Sequence, residues 1–99
     1  MRIVSHRKLK EFYESPGRGD SKVALEHWYE VVENAQWQGF GDMKRDFNAV
    51  DSVGNQHYVF NIRGNNYRLV VVVKFIMGYV FVRFVGTHEE YDVIDPSTV

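Results

Sequence analysis

From Ser52 to His88 the chain contains no Asp or Glu, yet it carries Arg63, Arg68, Lys74 and Arg83 together with His57 and His88. Cations gathered this way, with no acid to neutralise them, repel one another until an anion visits. Phosphate fits that need, because arginine presents paired donors in a planar fork and interleaved aromatic rings offer faces for bases. Arg68 and Arg83 are the candidates for holding a phosphate and the charge that develops on it. Lys74 is a candidate peripheral anchor, and Arg63 and Asn61 complete the set of expected nucleic-acid contacts. Imidazole titrates near neutral pH, so His57 and His88 are the natural proton carriers. The run Glu89-Glu90-Tyr91-Asp92 does not suggest a cation site, since consecutive carboxylates rarely converge on one ion. With cysteine absent as well, neither a metal nor a cofactor is expected.

These residues need elements to position them. Ser5 reads as an N-cap, and Leu9, Phe12 and Tyr13 follow at the spacing of one helical face. Ser15-Pro16-Gly17-Arg18-Gly19 interrupts the pattern, after which Asp20 or Ser21 caps a second helix. Its apolar stripe is Ala24, Trp28, Val31 and Ala35, widened by Leu25 and Val32. Arg2-Ile3-Val4 reads as a short edge strand, Asp42 to Phe47 as one more helical turn, and Asn48 to Gln56 as a loop. The hydrophobic period then changes from 3.6 to 2. His57–Ile62, Tyr67–Ile76 and Tyr79–Val85 are rich in Val, Ile, Phe and Tyr and read as strands. Arg63-Gly64-Asn65-Asn66 and Met77-Gly78 are the hairpin turns between them. The expected fold class is α+β, in the order β-α-α-β-β-β.

Short turns fix which residues oppose one another. A two-residue turn at Met77-Gly78 pairs Lys74 with Phe81, Val72 with Arg83 and Arg68 with Thr87. A turn centred on Gly64-Asn65 pairs Ile62 with Tyr67 and Asn61 with Arg68. One face then collects Tyr58, Phe60, Ile62, Tyr67, Leu69, Val71, Val73, Phe75, Val80, Val82 and Phe84, with no charge, and packs on the helices. The opposite face collects His57, Asn61, Arg63, Arg68, Lys74 and Arg83 among Val59, Val70, Val72, Tyr79, Phe81 and Val85. The expectation is a basic face opposite a helix-covered one.

A length of 99 residues suits a single domain spanning 1–99. No apolar run of signal-peptide or membrane-span length is present, so no membrane association and a cytoplasmic location are expected. The net charge of −1 argues against a nucleic-acid binder until its uneven distribution is considered.

His57-Tyr58-Val59-Phe60-Asn61, Gly64-Asn65, Tyr67-Arg68-Leu69-Val70, Arg83 and Thr87-His88-Glu89-Glu90-Tyr91-Asp92 together resemble the HigB toxins of bacterial type II toxin–antitoxin systems, in the RelE/ParE superfamily. The likeness is concentrated in residues 57–92 and extends loosely over the two N-terminal helices. It implies a RelE-like fold and metal-free, ribosome-dependent cleavage of mRNA through attack by the substrate's own 2′-hydroxyl. It also implies a cognate HigA-like helix-turn-helix antitoxin, with a toxin–antitoxin heterotetramer as the expected assembly. By order along the chain, the family's catalytic arginines and C-terminal tyrosine match Arg68, Arg83 and Tyr91. Two other readings stay open. A ParE-like toxin would bind a protein target such as gyrase without catalysis, and a plain RNA-binding domain would need no proton-transfer set.

Overall fold

The computed structural model describes all residues from Met1 to Val99. Its elements are β1 (Arg2–Val4), α1 (His6–Tyr13), a 3-10 turn (Gly19–Ser21), α2 (Lys22–Glu33), α3 (Phe40–Asp46), β2 (Val50–Gly54), β3 (His57–Ile62), β4 (Tyr67–Lys74), β5 (Tyr79–Thr87) and α4 (His88–Asp92). One five-stranded sheet runs in the order β1-β5-β4-β3-β2. Its pairs are antiparallel except β1 with β5, which are parallel and joined through the helices. No helix is long and apolar enough to cross a membrane.

The core forms where the apolar stripes meet. Leu9, Phe12 and Tyr13 are the buried residues of α1, at the i, i+3, i+4 spacing of one face. On α2 the fully buried line is Leu25, Trp28 and Val32, rotated slightly from the expected stripe so that Ala24, Val31 and Ala35 are half-buried. These side chains pack with Phe60, Ile62, Tyr67, Leu69, Val71, Val73, Val80 and Val82 from one face of the sheet. Trp28 and Phe47 meet Phe60 edge-on, and Trp37 lies flat against it. The helices therefore cover the side of the central strands that is free of Asn61, Arg68 and Lys74.

Four features depart from the sequence reading. The segment expected to be a loop contains β2, because an edge strand pairs on one side only and buries just Val50, leaving almost no periodicity to read. Gly54, Asn55 and Gln56 then turn the chain with positive φ.

The hairpin between β4 and β5 is longer than a two-residue turn. Phe75–Gly78 form the loop, with the Gly78 N–H donating to the carbonyls of Lys74 and Phe75. The pairs nearest the turn are consequently Lys74 with Tyr79 and Val72 with Phe81. A shift of two residues preserves the faces.

A β-bulge next does not preserve them. Between Val71↔Val82 and Val70↔Phe84 the residue Arg83 is inserted without a partner. Beyond it the parity of β5 reverses. Phe84 lies opposite Val70 on the outer face, and Val85 turns inward against the core.

Finally, the outer face is not open along its length. Val59, Val70 and Val72 are only 4%, 0% and 5% exposed, although none belongs to the helix-side core. The C-terminal segment runs along this same face. It leaves β5 at α4, sets Tyr91 beside Arg68, and ends with Asn55 donating to the Ser97 carbonyl and His57 contacting the Val99 carbonyl.

Candidate functional site

The positions expected to act together separate into four places. Arg68, Asn61, His88 and Tyr91 gather where β4 begins and α4 docks. His57 and Lys74 lie toward the other end of the same face, His57 opposite Val72 about 13 Å along β4 from Arg68 and Lys74 about 20 Å along it. Arg63 and Arg83 occupy two further positions.

At the α4 end, Arg68 and Asn61 oppose each other across β4 and β3, as the turn geometry requires. The Arg68 guanidinium donates from Nη1 to the carbonyls of Asn65 and Tyr67 at 3.0 and 3.3 Å and lies 5.8 Å from the centre of the Tyr91 ring. No carboxylate pairs with it. Asn61 Nδ2 donates to Asn65 Oδ1 at 3.1 Å, which ties the strand to the turn. The remaining guanidinium N–H groups of Arg68 are thus free for an anion, and the ring behind them limits where the side chain can swing.

A capping box fixes α4. Thr87 Oγ1 accepts from the Glu90 N–H at 3.1 Å, and Glu90 Oε1 accepts from the Thr87 N–H at 2.9 Å. Arg18, in the loop after α1, donates to Glu90 Oε2 at 2.9 Å and places its guanidinium 4.9 Å from the centre of the Phe12 ring. The Thr87 N–H, and after it the Arg18 charge, hold the Glu90 carboxyl below its ordinary range. Tyr91 and His88 are thereby anchored to the helix layer through one carboxylate. The sequence reading did not identify Arg18 and Glu90 as positioning groups, although Thr87-His88-Glu89-Glu90 carries the box signature.

Burial pushes the Tyr91 hydroxyl above its ordinary value. Arg68 opposes that shift, while Asp51 and Asp92 add to it. A neutral phenol can donate a proton or a hydrogen bond and cannot serve as a base at neutral pH. Asp51 is an acid that the sequence reading left out of this face. It sits one residue before the acid-free stretch, and β2 pairs it with Val59 on the outer side. His88 is exposed, with Nδ1 3.1 Å from Asp92 Oδ2. A carboxylate can only accept, so Nδ1 carries the proton of that bond and Nε2 keeps its lone pair when the ring is neutral.

His57 and Lys74 are both tied to the chain, His57 at its two ring nitrogens and Lys74 by one of its three N–H donors. His57 is 9% exposed, with Nδ1 2.7 Å from the Asn55 carbonyl and Nε2 3.0 Å from the Val99 carbonyl. Lys74 Nζ donates to Gln56 Oε1. Arg63, at φ +52° in the turn, faces the helix side and pairs with Asp20 at 3.1 Å. Asp20 also accepts a hydrogen bond from the Tyr67 hydroxyl. The positive φ re-aims the Arg63 side chain away from the outer face on which simple alternation places it.

Arg83 stands at the bulge, exposed and without an ion pair. Pairing of β1 with β5 stops at Val4↔Phe81, so β5 has a free edge here. Lys8 of α1 leans over that edge and donates to the Arg83 carbonyl at 3.4 Å. Counted from Gly86, the partner of Arg68, Arg83 is three residues along the strand, or about 10 Å.

Comparison with known proteins gives a consistent result. Residues 21–94 match the family model HigB_toxin, described as the RelE-like toxic component of a toxin-antitoxin system. The mRNA interferase toxin HigB of Escherichia coli K12 is 30% identical over 95 residues, covering 93% of this chain and 88% of that protein. The mRNA interferase HigB of Shigella flexneri shows the same identity and coverage. The mRNA interferase HigB of Escherichia coli O6:H1 is 29% identical over 72 residues, which is 71% of this chain and 70% of that protein.

Proposed function

The chain belongs to the HigB toxin family, the toxic component of toxin–antitoxin systems, and from that premise we propose that it cleaves mRNA at the Arg68–Tyr91 end of the sheet. The observation that carries the location is an arginine with no carboxylate partner, held against the ring of an un-ionised tyrosine on an anchored helix.

The chemistry asks little of the protein beyond alignment, charge stabilisation and two proton movements. The ribose 2′-oxygen attacks the adjacent phosphorus while the bond from phosphorus to the 5′-oxygen breaks. A 2′,3′-cyclic phosphate and a 5′-hydroxyl result. Arg68 holds the non-bridging oxygens and meets the negative charge that grows on them. His88 takes the 2′-hydroxyl proton at Nε2, with Asp92 orienting the ring from Nδ1. Tyr91, kept as a phenol by burial, gives its proton to the departing 5′-oxygen. Arg83 enters from the bulge side, and Asn61 contacts the ribose or the backbone next to Arg68.

Within this reading the ribosome supplies the aligned mRNA, and a HigA-like antitoxin carrying a helix-turn-helix silences the toxin. The expected assembly is a heterotetramer of two toxins with two antitoxins. Primer extension on translated mRNA after induction, repeated with purified ribosomes, is the test. Discrete new 5′ ends that vanish in the Arg68→Ala variant support the reading. Growth arrest with intact transcripts would sink it.

A further inference from the structure

The bulge at Arg83 does more than re-aim one arginine. It brings Phe84 to the outer side of β5, beside the free edge that Lys8 overhangs. Lys8, Phe12, Ser15, Arg18, Arg83 and Phe84 border a cleft of about 470 Å³ there, together with Glu11 and Val85. Of its three cations, Arg18 is committed to Glu90, whereas Lys8 and Arg83 have no carboxylate partner. Glu11 is engaged by Arg7 at 3.8 Å.

The cleft adjoins the site already described. A Cβ placed on Gly86 would lie 2.5 Å from Phe84 Cζ and 3.1 Å from Glu90 Oε1, so the Phe84 ring occupies the space that the glycine leaves vacant. Gly86 is the strand partner of Arg68. The Phe84 ring therefore bridges the two places, with Arg68 at one end and Lys8 and Arg83 at the other. A glycine beside an aromatic ring, followed at the far end by two unpaired cations, matches the needs of one nucleotide: a flat face for the base and donors for its phosphate.

We propose that this cleft is a nucleotide subsite next to the scissile position, in which Phe84 stacks on the base and Lys8, with Arg83, holds the adjoining phosphate. The assignment deepens the nuclease reading and rests on it for RNA as the ligand. It gives functional roles to Lys8 and Phe84, one of which alternation alone assigns to the core.

The test uses a short single-stranded RNA with 2′-O-methyl riboses, which binds and cannot be cut. Its affinity for the full chain is measured across a salt series. Phe84→Leu should weaken binding about 5- to 100-fold, the range a lost base–aromatic stack gives. Lys8→Ala should weaken it and lower the salt slope by about one. Lys10→Ala removes the same charge from an exposed position of α1 outside the cleft and should leave affinity unchanged. Should Phe84→Leu fail to fold, the exposed Lys8→Ala exchange and its charge reversal Lys8→Glu still decide the matter. Wild-type affinity and salt slope in the Lys8 variants would overturn the subsite. If the wild-type chain binds this RNA as described and yet cuts no mRNA on ribosomes, the nuclease reading fails while the subsite stands.

Discussion

The two ends of the outer sheet face carry similar side chains and use them differently. At one end His57 has a backbone oxygen at each ring nitrogen, and Lys74 is bound to Gln56. At the other, Arg68 keeps guanidinium donors to spare and His88 keeps a ring nitrogen free. His57, with both ring nitrogens against backbone oxygens, holds the chain together, and Lys74 is half-way, tied by one bond with further N–H donors to spare. Polar groups with capacity left over can hold a ligand. Basic composition alone does not separate the two, because it counts charges and not their partners.

Exchanges at four residues break or sharpen that contrast. The largest effect is expected from Arg68→Ala, which should lower the single-turnover cleavage rate by about 10²–10³, as loss of one donor to developing charge does. Its unfolding midpoint should barely move, since the guanidinium is bound only to two carbonyls of the neighbouring turn. Arg68→Lys should restore little, because a point charge cannot reproduce a bidentate fork.

Tyr91→Phe follows, with a loss of about 10² in rate if the phenol is the acid of the reaction. Since burial raises the Tyr91 hydroxyl, its deprotonation cannot shape the rate profile until the pH exceeds the ordinary tyrosine value of about 10. An alkaline limb near neutrality that disappears in Tyr91→Phe would contradict the assignment.

His57→Ala should do the reverse of Arg68→Ala. Removing a buried group that joins the β2–β3 turn to the C-terminal segment should cost about 1–3 kcal/mol of stability, read by denaturant unfolding. The rate per folded molecule should change far less than in Arg68→Ala.

The smallest effect concerns the anchor of α4. The folded-state value of Glu90 is lowered, so its contribution is complete above the unfolded carboxylate value of about 4.3 and fades as pH falls through the lower folded value. Acid should therefore loosen α4. Glu90→Gln should flatten the acid dependence of the unfolding midpoint, and an unchanged acid limb would remove Glu90 from the role of anchor.

Much of this organisation is legible in the sequence, and the exceptions have physical causes. The polar residues Asn61, Arg68 and Lys74 mark the side of β3 and β4 turned away from the helices, and Gly64-Asn65 sets the Asn61–Arg68 pairing observed. The bulge escapes notice because Phe84 and Val85 are both apolar, so exchanging which one faces inward leaves the hydrophobic pattern unchanged. β2 escapes because an edge strand with a single buried residue has no period to detect. At the candidate site, residue type points to Arg68 and His88, and the family resemblance adds Tyr91. Asp51, Arg18 and Glu90 act through contacts between distant segments that no local pattern records. His57 shows the opposite limit, since an imidazole in a strand looks the same whether it awaits a proton or fastens a tail.

The claim beneath all of this is that Arg68 and Tyr91 serve one phosphate. A double-mutant cycle on cleavage rate tests it most directly, with Arg68→Ala, Tyr91→Phe and the pair measured on the same ribosome-bound mRNA. Groups that act as a unit give grossly non-additive losses, so the double variant should fall little below the slower single one. A double variant whose loss equals the product of the two single losses, or single variants that cut at the wild-type rate, would contradict the account.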